Sequence, residues 1–361
     1  MRDLARHAIA LLFLLILAGP VHADTIIVQQ DGSGDATTIG AALAQAAAGD
    51  SILVGPGTYA ESVTVDKPLH VASIMGPDQT ILDGQDAMRM LWFDHTGVSS
   101  LTGFRLVNGY SDSGGALLLF YATLTVRDCV FEDNYGGYQG GAMSCGEGCT
   151  LTVVDCVFRD NYATEHAGAV LVIQWSTSKF GDCVFVGNRT DVSAGAIAAH
   201  SSVMDVSGCL FCRNLSDDIA GAIYLYASTG RIESNTFYDN TSPGHATVAI
   251  HESVGTTVER NILACETNGF ALKYIDCFGA HACNVYWDNA DGPICPPGLA
   301  DDEIVADPMF CEPWQDNFMI YDISPAAPEH SPCGLLVGAF PVGCTGTATR
   351  DATWGAIKAI Y

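Results

Sequence analysis

Two short motifs recur in step along the middle of this chain. Five Phe-x-x-Asn units follow one another at spacings of 26 or 27 residues, and five Gly-Ala pairs keep the same spacing. The motif residues are Phe131, Phe158, Phe185, Phe211 and Phe237, with Asn134, Asn161, Asn188, Asn214 and Asn240 three residues later. A third column, formed by Cys129, Cys156, Cys183 and Cys209, precedes four of the phenylalanines by two residues. Three columns in register indicate a structural repeat.

A repeat of this length, with β-branched runs and no helical periodicity, favours stacked coils of short parallel strands. Each unit has room for about three strands. Strands of successive coils lie about 4.8 Å apart, so each column becomes a ladder of like residues. We place the Phe and Cys columns inside. We expect each Asn to adopt a left-handed bend and to hydrogen-bond the next Asn, with Gly at a tight corner.

The first 23 residues have the features of a secretory signal peptide. Arg2 and Arg6 precede an apolar run over residues 8–17, and residues 21–23 form a small-residue cleavage site. An uncleaved anchor is the alternative, but the apolar run is short for a membrane span. We expect a mature chain that begins near Asp24 and contains no further transmembrane span. It would be secreted, either free or attached to the bacterial outer membrane or cell surface.

The formal net charge of −26 limits the partners of the chain. Such a surface repels nucleic acid and anionic lipid. It also repels anionic polysaccharides unless a cation bridges the two. We therefore expect a monomer whose partner is a polysaccharide of low charge or a surface protein.

The chain contains 14 cysteines, all of them after the predicted signal peptide. A secreted protein can keep disulfides, but the ladder cysteines are interpreted as small buried apolar residues rather than cross-links. Cys145 and Cys149, and likewise Cys209 and Cys212, are close enough in sequence to pair locally. Seven more crowd the last third, where we expect disulfides whose connectivity stays open: Cys265, Cys277, Cys283, Cys295, Cys311, Cys333 and Cys344.

The motifs divide the chain into five segments. After the signal peptide (1–23), residues 24–95 form an N-terminal cap and the first coils, with a short capping helix from Ile39 to Ala48 that Gly49 ends. Residues 96–263 form the regular repeats. Residues 264–344 form irregular Cys-rich coils and a C-terminal cap, and residues 345–361 form a tail with a short helix over 352–361.

Two segments resemble known families. Residues 31–35 (Asp-Gly-Ser-Gly-Asp) and 57–61 (Gly-Thr-Tyr-Ala-Glu) resemble the opening of pectin methylesterases and of the wider pectin-lyase-like superfamily. The repeats over 114–240 are similar to those of chlamydial polymorphic outer-membrane proteins. Both resemblances imply a right-handed parallel β-helix, of roughly nine to eleven coils at this repeat length. They specify the fold better than the function.

The methylesterase resemblance does not extend to catalysis. That family uses two aspartates, a glutamine and an arginine, carried by Gln-Ala-Val-Ala, Asp-Phe-Ile-Phe-Gly and Leu-Gly-Arg-Pro-Trp motifs, and none of the three occurs in this chain. The Gly-Thr-Tyr-Ala-Glu match is therefore interpreted as structural.

The strand after each Gly-Ala pair is where a ligand-binding face is expected. Its outward positions, by alternation, end at Ile250 and Glu252 and include a single carboxylate, whereas glycosidic cleavage needs two or three. Aromatic side chains there can stack on sugars or bury a partner protein, although scattered apolar exposure is the alternative. The candidate ligand-binding residues are Phe120, Tyr121, Trp175, His200, Tyr224 and Tyr226.

Acidic loops after three of the ladder asparagines form the second candidate site. Glu165, Asp191, Asp217 and Asp218 lie three or four residues after their asparagines, so successive coils could stack carboxylates that Ca²⁺ would bridge. These residues, with His166 as proton donor or acceptor, are the catalytic candidates if the protein is an enzyme. A solvated acidic loop is the structural alternative.

Three functions are consistent with the sequence. The favoured one is a secreted or cell-surface β-helix that binds a polysaccharide or partner protein along its lateral face, without catalysis. The second is a calcium-dependent carbohydrate-active enzyme of lyase or esterase type. The third is a passive surface or adhesin scaffold.

Overall fold

The chain winds into a right-handed parallel β-helix of about 12 turns. The computed structural model describes residues 23–296 and 298–345. The predicted signal peptide up to residue 22 and the tail helix over 352–361 lie outside the described residues. Four parallel sheets run along the axis, and a fifth, mixed sheet forms part of the C-terminal cap.

Sheets I and II each contain eleven strands. Sheet I comprises Thr25–Val28, Ser51–Val54, His70–Ser73, Val98–Thr102, Thr123–Arg127, Thr150–Val154, Thr177–Gly181, Val203–Ser207, Thr229–Glu233, Thr257–Glu259 and Ala280–Ala282. Sheet II comprises Gly57–Tyr59, Thr80–Asp83, Arg105–Val107, Val130–Glu132, Val157–Arg159, Val184–Val186, Leu210–Cys212, Thr236–Tyr238, Ile262–Ala264, Val285–Trp287 and Ile304–Val305.

Sheets III and IV complete the coils. Sheet III has the five strands Tyr110–Ser113, Tyr135–Gln139, Tyr162–Ala163, Arg189–Thr190 and Leu215–Ser216. Sheet IV has the ten strands Val63–Val65, Leu91–Asp94, Leu117–Phe120, Met143–Cys145, Val170–Ile173, Ile197–His200, Ala220–Tyr226, Ala246–His251, Phe270–Ile275 and Gly292–Cys295. Sheet III is a short fourth strand that the expectation of three strands per coil did not include.

The turn count is slightly higher than the nine to eleven predicted because the coils near both ends are shorter than the central repeats. Register partners Ser51 and His70 are 19 residues apart, from their numbers in the pairing. Thr257 and Ala280 are 23 residues apart. The spacing of 26 or 27 measured on the central motifs therefore underestimates how many turns the chain makes.

The predicted ladders form inside the stack, and the Phe, Cys and Asn columns are all buried. Successive phenylalanine rings stack with centroids 4.8 Å apart. The asparagines hydrogen-bond one another as predicted, with Asn134 Nδ2 donating to Asn161 Oδ1 over 2.9 Å. Such bonds satisfy polar groups that water cannot reach.

The left-handed residue of this bend lies one position earlier than predicted. Asp133, Asp160 and Asp239 have φ between 52° and 54°, whereas none of the five ladder asparagines has a positive φ. Each Asn instead uses its side chain to bridge coils, which requires an extended rather than a left-handed backbone. The Gly-Ala glycines have a packing reason, since a Cβ on Gly141 would collide with the carbonyl oxygen of Gly168.

A second amide ladder continues the cysteine column. Cys209 N donates to Asn235 Oδ1 over 2.9 Å, and the same bond recurs from Asn235 to Asn261 and from Asn261 to Asn284. Asn284 Nδ2 then donates to Glu303 Oε1 over 2.6 Å. The coils therefore remain regular beyond residue 263, with a different residue in the same column.

The N-terminal cap contains the predicted helix, but it is shorter. It spans Ile39–Gln45, so it ends before Ala48, and Gly49 adopts φ 93° in the following turn. Glu61 accepts from the backbone N–H groups of Ile39 and Gly40 over 2.9 Å each. A carboxylate at a helix N-terminus satisfies two unpaired donors and the helix dipole. The Gly-Thr-Tyr-Ala-Glu segment therefore has a structural role here.

The C-terminal cap folds back along the outer face of sheet II. It contains the strands Phe310–Glu312, Asn317–Tyr321 and Val342–Cys344 and the 3₁₀-helix Pro313–Gln315. Phe318 packs on the outward side chains of Val157, Val184 and Leu210. Two disulfides, Cys283–Cys333 and Cys311–Cys344, hold this segment. Among the described residues, no helix is both long enough and apolar enough to cross a bilayer.

Candidate functional site

The outward face of sheet IV carries a column of rings across neighbouring coils. Ile173, His200, Tyr226 and His251 are successive register partners. The sequence predicted Glu252 at the end of this column and Ile250 at the end of the adjacent one. A register shift between Ala220 and Ile223 places His251 and Ala249 there instead, and turns Ile250 into the core.

Five rings from this column and its surroundings are in contact, and we call them the ring cluster: His166, His200, Tyr224, Tyr226 and His251. The His200 ring lies 5.1 Å from that of His166, 5.7 Å from Tyr224 and 5.9 Å from Tyr226, between centroids. Tyr226 and His251 are 5.2 Å apart. Edge-on contacts of this kind hold the rings in fixed orientations.

Polar atoms of the ring cluster are only partly paired. Tyr224 Oη and His251 Nδ1 are 2.9 Å apart, and His166 Nδ1 is 2.8 Å from Ser193 Oγ. Within the described part of the chain, the buried Nε2 of His200 has no hydrogen-bond partner. An unpartnered buried polar atom costs free energy, so a ligand that pairs with it gains affinity.

The ring cluster is electrically neutral at neutral pH. Burial lowers the pKa of His200 to about 4, and the adjacent His166 ring lowers it further. Burial also lowers the pKa of His166, against the opposing charge of Glu165. Burial raises the pKa of Tyr224 to about 12. The site therefore presents uncharged imidazole and phenol groups, which can both donate and accept hydrogen bonds.

The floor beneath these rings is apolar. Leu171, Ala198 and Ala249 point outward from sheet IV but are buried. They are covered by the segments that lead into the sheet, through Ala167, Ala194 and Ala220. Those covering segments also carry His166 and Ser193. The ring cluster thus lies where the covered part of sheet IV meets its open part.

The six predicted ligand-binding residues do not form one surface. His200, Tyr224 and Tyr226 belong to the ring cluster. Phe120 and Tyr121 form a separate group with His95, with ring centroids 4.7–6.0 Å apart. Trp175 is 78% exposed and lies beside a shallow pocket lined by serines and Val203. A continuous aromatic face along the whole stack is therefore absent from the described residues.

The acidic loops are neutralised in part by Arg189. Its Nη2 lies 2.8 Å from Asp217 Oδ2 and 3.7 Å from Asp191 Oδ1. Asp191 also accepts a hydrogen bond from Tyr162 Oη over 2.9 Å, and Asp218 faces His245 Nε2 at 3.4 Å. No group of three or more metal-ligating side chains is gathered among the described residues. The calcium site stays a prediction, with this arginine inside it.

The pair formed by Ser193 and His166 has the spacing of a nucleophile and its base. Ser193, however, is 1% exposed, and its backbone N–H donates to the carbonyl of Glu165 over 3.0 Å. A side chain so deeply covered cannot attack a polymer. We interpret the pair as fixing the orientation of the His166 ring.

Sequence reasoning missed His251 and Ser193 in this region. His251 was hidden because one residue fewer separates its coil from the preceding one after the bulge. Ser193 belongs to a covering segment that lies between the motifs. A count of spacing between Ile223 and Val248, rather than between motif residues, would have identified His251.

Comparison with known proteins identifies the fold. The family described as "Right handed beta helix region" matches residues 99–211. No curated protein matches the chain. The pectin methylesterase of Aspergillus niger is 15% identical and superposes over 80% of this chain and 92% of its own, with a TM-score of 0.40.

Two further solved structures are similar. A rhamnogalacturonan lyase, 10% identical, matches 73% of this chain and 87% of its own length with a TM-score of 0.48. The pectin methylesterase of Erwinia chrysanthemi, 12% identical, matches 80% and 94% with a TM-score of 0.39. At this identity the likenesses show a β-helix fold and nothing about this chain's activity.

Proposed function

We propose that this protein is a secreted or cell-surface β-helix that binds a polysaccharide of low charge through the ring cluster, without cleaving it. The observation that carries the proposal is the array of five neutral rings on the outward face of sheet IV. Three of them, His200, Tyr226 and His251, repeat at the spacing of the coils. A repeating surface suits a repeating ligand.

The chemistry of the rings favours sugar hydroxyls over charged groups. Half-buried tyrosine and imidazole rings offer apolar faces, and their neutral polar atoms can donate or accept. The net charge of −26 disfavours an anionic polymer. The unpartnered His200 Nε2 provides a position where a hydroxyl would gain a hydrogen bond.

Export is part of the proposal. The first strand begins at Thr25, immediately after the predicted cleavage site. Asp24 N lies 2.9 Å from Asp50 Oδ1, so cleavage before Asp24 would create an ammonium group beside a carboxylate. The two disulfides of the cap suit an oxidising compartment. N-terminal sequencing of the exported protein should begin at or near Asp24, and an intact residue 1 would contradict export by cleavage.

The binding proposal is tested with a panel of soluble plant and microbial polysaccharides. Affinity electrophoresis should show retardation by at least one polysaccharide of low charge. Tyr226→Ala should weaken that interaction by about three- to tenfold, since it removes a stacking surface. Tyr138→Ala is the matched control, because Tyr138 is an exposed tyrosine of sheet III.

Catalysis is tested on the same panel. Reducing ends, unsaturated products and released methanol or acetate should stay at the level of the blank. Retardation that Tyr226→Ala and Tyr138→Ala weaken equally would contradict the assignment to the ring cluster. Product formation would contradict a purely binding role and favour the lyase or esterase alternative.

A further inference from the structure

A pocket of about 420 Å³ lies where the C-terminal cap meets sheet II. It is distant in the fold from the ring cluster, which lies on sheet IV. The side chains that matter for its chemistry are Tyr238, Cys265, Trp287, Asp307, Trp314 and Tyr321. One wall therefore comes from the coils and the other from the cap, and both are rich in aromatic rings.

The cap wall is held in place by several contacts. Arg213 Nη2 bonds Asp316 Oδ1 over 2.8 Å at the end of the 3₁₀-helix that carries Trp314. The Cys311–Cys344 disulfide ties the adjacent strand. On the other side, the Tyr238 ring packs on Phe318 with centroids 5.2 Å apart. A pocket that exists before binding saves the cost of ordering its walls.

The charges around the pocket are predominantly negative. Burial raises the pKa of the Cys265 thiol to about 11, and the carboxylates of Asp288, Asp239 and Asp307 add to this shift. Three carboxylates therefore act on one wall of the pocket. The cation that acts on Asp239 is Arg213, which is already bonded to Asp316.

We propose that this pocket binds an organic cation that carries a quaternary ammonium group. Aromatic faces attract a weakly hydrated cation through their quadrupoles, and tryptophan does so most strongly. Carboxylates accept hydrogen bonds and cannot donate them, so they complement a cation better than a neutral sugar. The Tyr238 hydroxyl and the Cys265 thiol hydrogen-bond each other, which leaves few donors for sugar oxygens.

Two sources could supply this chemistry, a free choline-like solute and the phosphocholine headgroup of a lipid. The proposal does not depend on the polysaccharide function, because the two sites share no residue. Calorimetric titration of the mature protein with choline should show saturable binding. Dimethylbutanol, the uncharged carbon isostere of choline, should bind at least about tenfold more weakly, since it keeps the shape and removes the charge.

Three variants locate the site. Trp314→Ala removes a ring that is 75% exposed and should weaken choline binding about tenfold without unfolding the cap. Asp307→Asn removes one charge and keeps the oxygen that accepts from Met309 N over 2.8 Å, and about threefold weakening is expected. Trp175→Ala, at a tryptophan of similar exposure far from the pocket, should leave choline binding unchanged.

The outcomes separate clearly. Phosphatidylcholine vesicles that compete with choline assign the pocket to a headgroup, and vesicles that do not compete assign it to a free solute. The proposal is overturned if millimolar choline does not bind, if dimethylbutanol binds equally well, or if Trp175→Ala and Trp314→Ala have equal effects. Displacement of choline by an uncharged oligosaccharide with higher affinity would also overturn it.

Discussion

Asn161 Nδ2 donates a hydrogen bond to Asn188 Oδ1 over 2.9 Å, and both side chains are completely buried. Asn188 repeats the bond to Asn214 over 2.9 Å and also donates to the carbonyl of Phe158. One side chain therefore satisfies backbone and side-chain groups of three successive coils. The ladder transmits pairing along the axis in the interior, where water is not available as a substitute.

Replacement of a central ladder residue should strongly destabilise the fold. Asn188→Ala leaves buried donors on Asn161 and buried acceptors on Phe158 and Asn214 without partners. We expect the free energy of unfolding in urea to fall by about 3–5 kcal/mol. Asn268→Ala, at an exposed asparagine, should change it by less than about 0.5 kcal/mol. Equal effects of the two variants would show that the ladder contributes no special stability.

The phenylalanine stack should behave as a close-packed core. The Phe185 ring lies 4.8 Å from the ring on either side, and Phe185→Ala would leave a cavity between two coils. We expect a loss of about 3–5 kcal/mol, measured by the same urea unfolding. Phe278→Ala is the control, because Phe278 is exposed. A loss below about 1 kcal/mol at Phe185 would mean that the coils close around the cavity.

Glu266 should make stability depend on pH. It occupies the ladder position after Asn240, and burial raises its pKa from 4.5 to about 7. Between these values the folded state binds more protons than the unfolded state, so stability falls as pH rises from 4.5 through 7. Relative to wild type, Glu266→Gln should be more stable at pH 8 than at pH 5 by about 3 kcal/mol. The exposed Glu329→Gln is the control, and its effect should not vary with pH.

The disulfide connectivity can be checked by peptide mapping of non-reduced protein. Mapping should find Cys283 linked to Cys333 and Cys311 linked to Cys344, with loops of 50 and 33 residues. Loss of either should cost the cap about 4 kcal/mol, detected as faster hydrogen exchange at Phe318 and Ile320. The local pairs within 145–149 and 209–212, which the sequence left open, are free thiols here. Their linkage in the purified protein would contradict the structure.

Calcium should leave the thermal midpoint unchanged. Arg189 already pairs with Asp191 and Asp217, so a cation would have to displace a guanidinium to bridge them. Scanning calorimetry with millimolar calcium or with a chelator tests this, since a site specific to the folded state raises the midpoint by mass action. A rise that Asp217→Asn abolishes would restore the calcium-dependent enzyme as the favoured function.

Much of the architecture was legible in the sequence because it repeats. Phe, Cys and Asn at fixed spacing predicted which residues point inward, and the buried ladders confirm it. The helix from Ile39 was also predicted, although its end was placed too late, because Gly49 belongs to the turn after the helix rather than to its cap. Periodic patterns reveal positions that every coil shares, since each coil solves the same packing problem.

The candidate site was decided by what differs between coils. A single bulge between Ala220 and Ile223 exchanged Glu252 for His251 and so completed the ring cluster. Arg189 entered the acidic loops by spanning two coils. The cap pocket joins Trp287 to Trp314 only because the chain folds back along sheet II. The sequence alone thus determined the β-helix and its ladders, which depend on local periodicity. Tertiary structure decided the sites, because register shifts and long-range folding bring together residues that no spacing relates.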